Sequence, residues 1–247
     1  MPSARQIDVY LLPALVEPPA LAGVTAVVID VLRATTTIIH ALAAGALQVV
    51  PCLEVDDAKR IADDFGKNVI LGGERGGLPI AGFDLGNSPA EYTRERLADK
   101  NVVFTTTNGT RALKRCHAAR RVLIGAFVNF SALCRELADE QQIALVCAGT
   151  DGHVTREDTL LAGAIVDDLT RSKKCRLNDQ ADIAADAWRT AVRLLTDRPL
   201  GIMLRDSRGG RNLIDTGQAN DIDLAAQIDK FDIVPHLDLL TWRIHQS

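Results

Sequence analysis

Short apolar runs alternate with segments of helical period along residues 8–169 of the chain. Several runs are continuously apolar, for example Val27-Val28-Ile29 and Ala144-Leu145-Val146, which is typical of strands covered on both faces. Strands are predicted at residues 8–12, 25–31, 47–52, 68–71, 102–105, 121–124 and 143–147. Helices are predicted at residues 35–44, 55–65, 90–98, 110–116, 130–138 and 156–169. This alternation predicts an α/β fold with a mostly parallel sheet and helices on both faces.

The pattern changes after Thr170. In order, this part is predicted to contain a basic loop (171–176), an amphipathic helix (178–197), a short strand (201–204), a polar loop (205–217) and a last helix with a turn (224–236). The apolar side of the long helix is assigned to Ile183, Ala187, Trp188, Ala191 and Leu195. Since no linker rich in Pro, Gly or Ser separates the two parts, we predict one α/β domain over residues 1–247. A small C-terminal subdomain after Thr170 is the alternative.

Composition narrows the class of protein. With 47% hydrophobic and 24% charged residues, the chain is not mainly disordered. Its net charge of −4 argues against a non-specific nucleic-acid binder. We expect no membrane partner, because no apolar run reaches the roughly 18–20 residues that cross a bilayer and the N-terminus is a poor signal peptide. Five scattered cysteines without a C-x-x-C pair indicate a reducing compartment. A cytoplasmic protein is expected, and a homo-oligomer is left open.

Ligands of an open parallel sheet bind beyond the carboxyl ends of its strands, so functional side chains are expected in the segments that follow strands. Asp30 ends the most continuously apolar run and is followed by Arg33 and three threonines at a helix start. Asp30 could hold a hard cation and Arg33 could bind a phosphate or sulfonate with two hydrogen bonds, near the anion-binding helix start. The structural alternative is that Thr35 or Thr36 caps the helix and Asp30 pairs with Arg33.

A long glycine-rich loop follows the fourth predicted strand, over residues 72–89. It carries Glu74 and Arg75 between glycine pairs, and Asp84 further along. Glycines allow such a backbone to turn sharply and to approach a ligand closely, so Glu74 is a candidate magnesium ligand. A plain glycine-rich turn with solvated charges is the alternative.

The segment after the fifth predicted strand runs from Thr105 to Arg111 and combines hydroxyl groups with Asn108-Gly109. Asn108-Gly109 suits a tight turn, and Thr110 can cap the next helix while its neighbours donate to an anion. The G-K-[ST] ending of a Walker A loop is missing, so nucleotide binding is not implied.

Glu157 and Asp158 lie in the first predicted turn of the helix that follows the last strand of the alternating part. Thr155 and Asp158 match a capping box, which is the structural interpretation. Either carboxylate could also complete a cation site at this end of the sheet. Carboxylates gathered with Arg, Thr and glycine amides suit the hydrolysis of a doubly anionic phospho-acid with a divalent metal.

The chain closely resembles the 2-phosphosulfolactate phosphatase family. The motifs that carry this resemblance, in order, are Val28-Ile29-Asp30-Val31-Leu32-Arg33-Ala34-Thr35-Thr36, Gly72-Gly73-Glu74-Arg75, Gly82-Phe83-Asp84-Leu85-Gly86-Asn87-Ser88-Pro89, Thr106-Thr107-Asn108-Gly109-Thr110 and Cys147-Ala148-Gly149-Thr150. The likeness extends to Glu157-Asp158 and to the segment from Ser207 to Arg211, and so spans nearly the whole chain. It implies a magnesium-dependent phosphohydrolase that converts (R)-2-phospho-3-sulfolactate to sulfolactate and phosphate, a step towards coenzyme M.

This resemblance sets the candidate roles. The candidate Mg²⁺ ligands are Asp30, Glu74, Asp84, Glu157 and Asp158. The groups expected to bind the substrate phosphate are Arg33, Thr35, Asn108, Gly109 and Thr110, and Thr36 is a further candidate for substrate binding. The groups expected at the sulfonate or carboxylate are Arg75, Arg156 and Arg211. Asp30 and Arg33 are the candidate catalytic residues, and Asp30 could hold the metal, orient water or attack phosphorus.

Two other functions compete with this interpretation. A haloacid-dehalogenase-like phosphatase also opens with a strand that ends in Asp, but it requires D-x-D, and Leu32 stands at the third position here. A non-catalytic binder of small anions would need the glycine and threonine loops but not the carboxylates.

Overall fold

The computed structural model describes residues 5–171, 173–194 and 199–246. Its strands are β1 (Arg5–Tyr10), β2 (Thr25–Ile29), β3 (Gln48–Cys52), β4 (Val69–Arg75), β5 (Leu78–Pro79), β6 (Asn101–Thr105), β7 (Arg121–Gly125), β8 (Gln142–Cys147), β9 (Cys175–Leu177), β10 (His236–Asp238) and β11 (Arg243–His245). Its α-helices are α1 (Ala34–Ala43), α2 (Val55–Phe65), α3 (Arg94–Leu97), α4 (Gly109–Arg115), α5 (Phe130–Leu137), α6 (Arg156–Thr170), α7 (Asp179–Leu194), α8 (Leu200–Arg205), α9 (Arg208–Asp215) and α10 (Asn220–Ala225). The prediction for Leu195 lies outside the described residues.

Within this part of the chain, all the strands join one sheet in the order β5-β4-β6-β3-β11-β10-β7-β2-β8-β1-β9. The strands β4, β6 and β3 pair in parallel, and so do β7, β2, β8, β1 and β9. The hairpin of β10 and β11 is antiparallel to both groups and joins them, with β11 on β3 and β10 on β7. The predicted α/β fold with a mostly parallel sheet is confirmed.

The sheet is covered on both faces, as the apolar strands predict. Val27 and Ile29 of β2 pack into one core with residues of α5, α6 and α7, whereas Ala26 and Val28 pack into a second core with residues of α1 and α4. Alternate residues of a strand point to opposite faces, so a strand that is apolar at every position needs both cores. All five residues of β2 are buried, and this places its carboxyl end inside the protein.

Three predictions for the C-terminal part are wrong, and the predicted basic loop at 171–176 runs into strand β9 (Cys175–Leu177). Residues 201–204 belong to helix α8 rather than to a strand, and the buried Leu200, Met203 and Leu204 have helical spacing. The polar loop at 205–217 contains helix α9, which begins after Ser207, whose hydroxyl oxygen accepts the Gly210 N–H at 3.0 Å. The last helix, α10, lies at Asn220–Ala225 instead of 224–236, and β10 follows it.

The face of the amphipathic helix α7 also differs from its prediction. Ile183 is 58% exposed, while the buried side consists of Ala181, Ala184, Ala185, Trp188 and Ala191. Small alanines allow α7 to pack closely on α6, where Gly163 lies against the Ala184 carbonyl. Within the described residues, no helix is long and apolar enough to cross a membrane.

Candidate active site

A cavity of about 340 Å³ opens where several strands end. Asp30 comes from the end of β2, Glu74 from β4, Thr106 to Asn108 from the turn after β6, and Thr150 from the turn after β8. The remaining lining residues come from α9 and Thr216 after it and from the connections that follow β2, β4, β5 and β8: Leu32, Arg33, Gly76, Gly77, Asn87, Asp151, Gly209, Asn212, Leu213, Asp215 and Thr216. The segments singled out in the sequence therefore converge at the carboxyl ends of the strands, and α9 closes the other side.

Asp30 is buried at the start of α1, with 7% of its surface exposed. Its Oδ1 accepts the Ala34 N–H at 3.2 Å, so the carboxylate faces the positive end of the helix dipole. Gly109 packs directly against it, because a Cβ on Gly109 would come within 2.8 Å of Asp30 Oδ2 and would collide with the Ala34 side chain. The glycine of the predicted Asn-Gly turn is thus needed for the close approach of α4 to Asp30.

The pKa of Asp30 is raised to about 7, mainly because burial disfavours the charged form. The neighbouring charges of Glu74 and Glu157 raise it further, whereas the Ala34 N–H and the Arg33 charge lower it. A bound cation would favour the ionised carboxylate, since it offsets both the burial and the repulsion between the carboxylates.

Glu74 links β4 to the turn after β6. Its Oε1 accepts the Thr107 N–H at 2.6 Å, and its Oε2 accepts the Gly77 N–H at 2.6 Å and the Thr107 hydroxyl at 3.1 Å. These donors hold the carboxylate in one orientation at the edge of the cavity. The two oxygens together offer about four lone-pair positions, so three hydrogen bonds leave room for one more ligand.

Asp158 forms hydrogen bonds with the segments that follow two central strands, β2 and β8. Its Oδ1 accepts the Val31 N–H at 2.9 Å and its Oδ2 accepts the Gly149 N–H at 3.0 Å. The predicted capping box is therefore wrong: Thr155 is the residue before α6, but its side chain makes no capping hydrogen bond. Burial, and then the charges of Glu157 and Asp30, raise the pKa of Asp158 well above its usual value.

Glu157 lies beneath the cavity, behind Gly209 of α9. It is 1% exposed, and its Oε1 is so close to the Gly209 α-carbon that a side chain there would overlap it. Burial raises the pKa of Glu157, while the neighbouring polar groups of its own backbone, Ser207 and Gly209 and the charge of Arg211 act in the opposite direction. Its Oε2 has no hydrogen-bond partner among the described residues. A buried carboxyl oxygen without a partner is costly to ionise unless a cation compensates it.

Arg33 lines the cavity but pairs with a residue far along the chain. Its Nη1 donates to Asp221 Oδ2 at 2.5 Å and to Gln218 Oε1, and the side chains of Arg33 and Asp221 are both buried. The structural alternative of an Asp30–Arg33 pair is thus replaced by an Arg33–Asp221 pair. Leu32, the residue that departs from the D-x-D pattern, also lines the cavity and contributes no acid.

The candidate phosphate-binding threonines turn towards the backbone. The Thr35 hydroxyl donates to the Asp30 carbonyl at 2.9 Å, that of Thr36 to the Val31 carbonyl at 2.8 Å, and that of Thr110 to the Thr106 carbonyl at 2.7 Å. These hydroxyls shape the turns around the cavity. Asn108 lines the cavity, and its Oδ1 accepts the Asp151 N–H at 3.2 Å.

Four further candidate residues do not line the cavity and make their contacts elsewhere. Arg75 donates to the Thr105 hydroxyl at 2.7 Å and to the Leu53 carbonyl. Asp84 is exposed and accepts the Leu71 N–H at 2.9 Å. Arg156 is exposed at a separate groove between α6 and α7, and Arg211 is exposed and donates to the Asp206 carbonyl.

Several residues of the site were not selected from the sequence. Asn87 lines the cavity at 5% exposure, and its Oδ1 has no hydrogen-bond partner among the described residues. Asn87 belongs to the motif at residues 82–89 that carries the family resemblance, and this motif is the sequence feature that could have identified it. The sequence around Gln218 and Asp221 contains no local pattern that marks a site residue, because only the folded chain brings these two side chains to Arg33.

The charges of the cavity fit a divalent cation. Among the described residues that line it, Asp30, Glu74, Asp151 and Asp215 are acidic and Arg33 alone is basic. No group of three or more His, Cys, Asp or Glu side chains in the described part is arranged as a complete metal site. Magnesium commonly takes one or two protein carboxylates together with water and substrate oxygens, and Asp30 and Glu74 are the candidates for this role at the cavity.

Comparison with known proteins identifies the family of the chain. The sequence model of the 2-phosphosulpholactate phosphatase family matches residues 10–239. A probable 2-phosphosulfolactate phosphatase from Symbiobacterium thermophilum is 43% identical over 88% of this chain and 94% of its own length. Proteins described in the same way from Pseudothermotoga lettingae and Clostridium novyi are 39% and 34% identical, each over 93% of this chain. The chain therefore belongs to the 2-phosphosulfolactate phosphatase family and is a phosphoric monoester hydrolase.

Proposed function

We propose that this enzyme hydrolyses 2-phosphosulfolactate to sulfolactate and phosphate at the cavity around Asp30, with Mg²⁺ as its cofactor. The observation that carries the proposal is the meeting of Asp30, Glu74 and Arg33 at one cavity at the strand ends. The relatives described as probable 2-phosphosulfolactate phosphatases support the substrate.

The negative charge of the substrate supports the proposal that Mg²⁺ is the cofactor. A 2-phosphosulfolactate molecule carries a phosphate, a sulfonate and a carboxylate, and would be repelled by a cavity that contains four carboxylates and one guanidinium. Asp30 and Glu74 would hold the metal ion, with Glu157 adding negative charge from beneath. When bound, Mg²⁺ polarises the phosphoryl oxygens and offsets the negative charge that repels the substrate.

The chain's own groups then orient the substrate. Arg33 uses Nη1 for Asp221 and Gln218, so Nη2 and Nε are the donors that it would offer to the phosphoryl group. Asn87, Asn108 and Asn212 line the cavity with neutral amide groups that bind oxygen atoms without adding charge. Preorganised donors of this kind stabilise charge that develops on the phosphoryl oxygens in the transition state.

The proposal includes the compartment and the partners of the enzyme. Each of the five cysteines is a free thiol, which suits a reducing compartment such as the cytoplasm. The net charge of −4 suits a small anionic substrate held by a local site better than a nucleic-acid partner. In an organism that makes coenzyme M, the sulfolactate product would enter that pathway.

A substrate panel tests the proposal. Phosphate release is measured from 2-phospho-3-sulfolactate, 2-phospholactate, 2-phosphoglycolate and 4-nitrophenyl phosphate, each with Mg²⁺. The highest kcat/KM is expected for 2-phospho-3-sulfolactate, and loss of the sulfonate should raise KM. Equal kcat/KM values for 2-phospho-3-sulfolactate and 2-phospholactate would refute the proposed substrate, while absence of phosphate release from every compound would refute the proposed site.

A further inference from the structure

The guanidinium of Arg33 is held by two side chains from the C-terminal part of the chain. Its Nη1 donates to Asp221 Oδ2 at 2.5 Å and to Gln218 Oε1. The second oxygen of Asp221 accepts the Ser88 hydroxyl at 2.6 Å. Arg33 and Asp221 are buried, whereas Gln218 is half-buried. Asp221 therefore supplies the compensating charge, and Gln218 supplies a second, neutral contact.

Gln218 also contacts the glycine turn that follows Glu74. Its Nε2 donates to the Gly77 carbonyl at 3.3 Å and to the Thr216 hydroxyl oxygen at 3.0 Å. The N–H of the same Gly77 donates to Glu74 Oε2 at 2.6 Å. A path of hydrogen bonds thus connects the Arg33 guanidinium, through Gln218 and Gly77, with the Glu74 carboxylate.

The chemistry of these partners suits an amide at position 218. A guanidinium only donates and a carbonyl only accepts, so the residue between them must accept at one atom and donate at another. Glutamine does both without charge. Glutamate would still accept from Arg33, but it would place an anionic oxygen against the Gly77 carbonyl. Leucine would keep much of the volume and lose both contacts.

We propose that Gln218 is a positioning residue of the phosphatase site, where its amide sets the Arg33 guanidinium in a fixed place relative to the Gly77 turn and Glu74. This inference rests on the proposed function, in which Arg33 binds the phosphoryl group and Glu74 helps to hold the cation. A fixed spacing between these two groups matters most in the transition state, when both must contact the same phosphoryl group.

Gln218→Leu and Gln218→Glu test the proposal, with Gln227→Leu and Gln227→Glu as matched controls. Gln227 is exposed, and its side chain makes none of the hydrogen bonds found in the described part of the chain. The half-buried position of Gln218 favours folded variants, which circular dichroism and the Tm verify. Asp221 is less suited to the test, because its removal leaves the buried Arg33 without a counter-charge.

For both Gln218 variants, kcat on 2-phospho-3-sulfolactate should fall on the order of 10- to 100-fold, as a small misplacement of a binding group requires. KM should rise by a smaller factor than kcat falls, and the Gln227 variants should match the parent enzyme. A folded Gln218→Leu enzyme with the parental kcat would overturn the proposal.

A double-mutant cycle with Arg33→Lys separates positioning from a general structural effect. If Gln218 acts through Arg33, Gln218→Leu should slow the parent enzyme and have little further effect in the Arg33→Lys background. Loss of kcat by the same factor in both backgrounds would contradict positioning through Arg33.

Binding of inorganic phosphate, a product of the proposed reaction, tests the role of Gln218 independently of the proposed substrate. Calorimetry with inorganic phosphate and Mg²⁺ needs no turnover, and in it Gln218→Leu should weaken phosphate binding while Gln227→Leu should not. If the parent enzyme released no phosphate from 2-phospho-3-sulfolactate, the proposed substrate would fail while this measurement still tested Gln218. Equal phosphate affinity of the parent and Gln218→Leu would overturn the role of Gln218.

Discussion

The α-carbon of Gly109 lies against the carboxylate of Asp30, so that a Cβ at Gly109 would come within 2.8 Å of Asp30 Oδ2. This contact joins the start of α4 to Asp30, the cavity residue that directly follows β2. The same Cβ would collide with the Ala34 side chain at the start of α1. Three elements that carry candidate site residues therefore meet at one glycine.

Gly109→Ala should lower both activity and stability. The methyl group would push Asp30 or α4 aside, and overpacking of this kind typically costs about 1–3 kcal/mol of unfolding free energy. Urea unfolding and phosphate release measure the two effects. Gly201→Ala is the matched control, because its Cβ would meet the exposed, flexible side chain of Asp223 at 3.2 Å. An active, fully stable Gly109→Ala enzyme would show that Asp30 does not depend on this contact.

Asp221→Asn should strongly destabilise the fold. It leaves the buried Arg33 with no formal counter-charge, and breaking such a buried pair typically costs about 3–5 kcal/mol. Asp223→Asn, on the same helix α10, removes an exposed ion pair with Arg205 and should cost less than about 1 kcal/mol. Chemical denaturation compares the two variants, and equal unfolding free energies would contradict the importance assigned to the Arg33–Asp221 pair.

Asn87→Ala should reduce kcat/KM about tenfold or more while changing stability little, because the buried Oδ1 makes no hydrogen bond within the described chain and is free for substrate or water. Steady-state kinetics and thermal unfolding are measured together. A variant that loses stability but keeps its kcat/KM would indicate that Asn87 serves the fold alone.

His40 predicts a loss of stability in acid. Burial, with the charge of Lys230 as a smaller cause, lowers the pKa of His40 from 6.5 to about 4. Between pH 6.5 and pH 4 the unfolded chain binds a proton that the folded protein does not, so unfolding becomes easier as the pH falls. The unfolding free energy of the parent minus that of His40→Leu should therefore fall from pH 7 to pH 4.5. A difference that is independent of pH would show that His40 is protonated equally in both states.

The sequence predicts the parallel part of the fold well, because its signal is local. The run at Val27-Val28-Ile29 is apolar at every position, and the structure places it in an internal strand with a core on each face. The convergence of Asp30, Glu74 and Asn108 follows from the same reasoning, since each residue lies at or just after a strand end.

The remaining features depend on contacts that local patterns do not encode. Strands β10 and β11 have three residues each, too few for a period, yet they fill the middle of the sheet. Arg75 and Asp84 belong to the predicted glycine-rich loop, as a site residue would, but their hydrogen bonds with Leu53, Thr105 and Leu71 lie outside the cavity. The Arg33–Asp221 pair spans 188 positions and exists only in the folded chain.

The most direct test of the account is phosphate release from 2-phospho-3-sulfolactate as a function of Mg²⁺ concentration, for the parent, Asp30→Asn and the exposed control Asp64→Asn. The parent and Asp64→Asn should lose activity with EDTA and regain it with Mg²⁺. Folded Asp30→Asn should remain about 100-fold or more below them at every Mg²⁺ concentration, as expected when a group that stabilises the transition state is lost. Parental activity that persists in EDTA, or an Asp30→Asn enzyme with most of the parental kcat, would contradict the assignment of Asp30 as the centre of a magnesium-dependent phosphatase site.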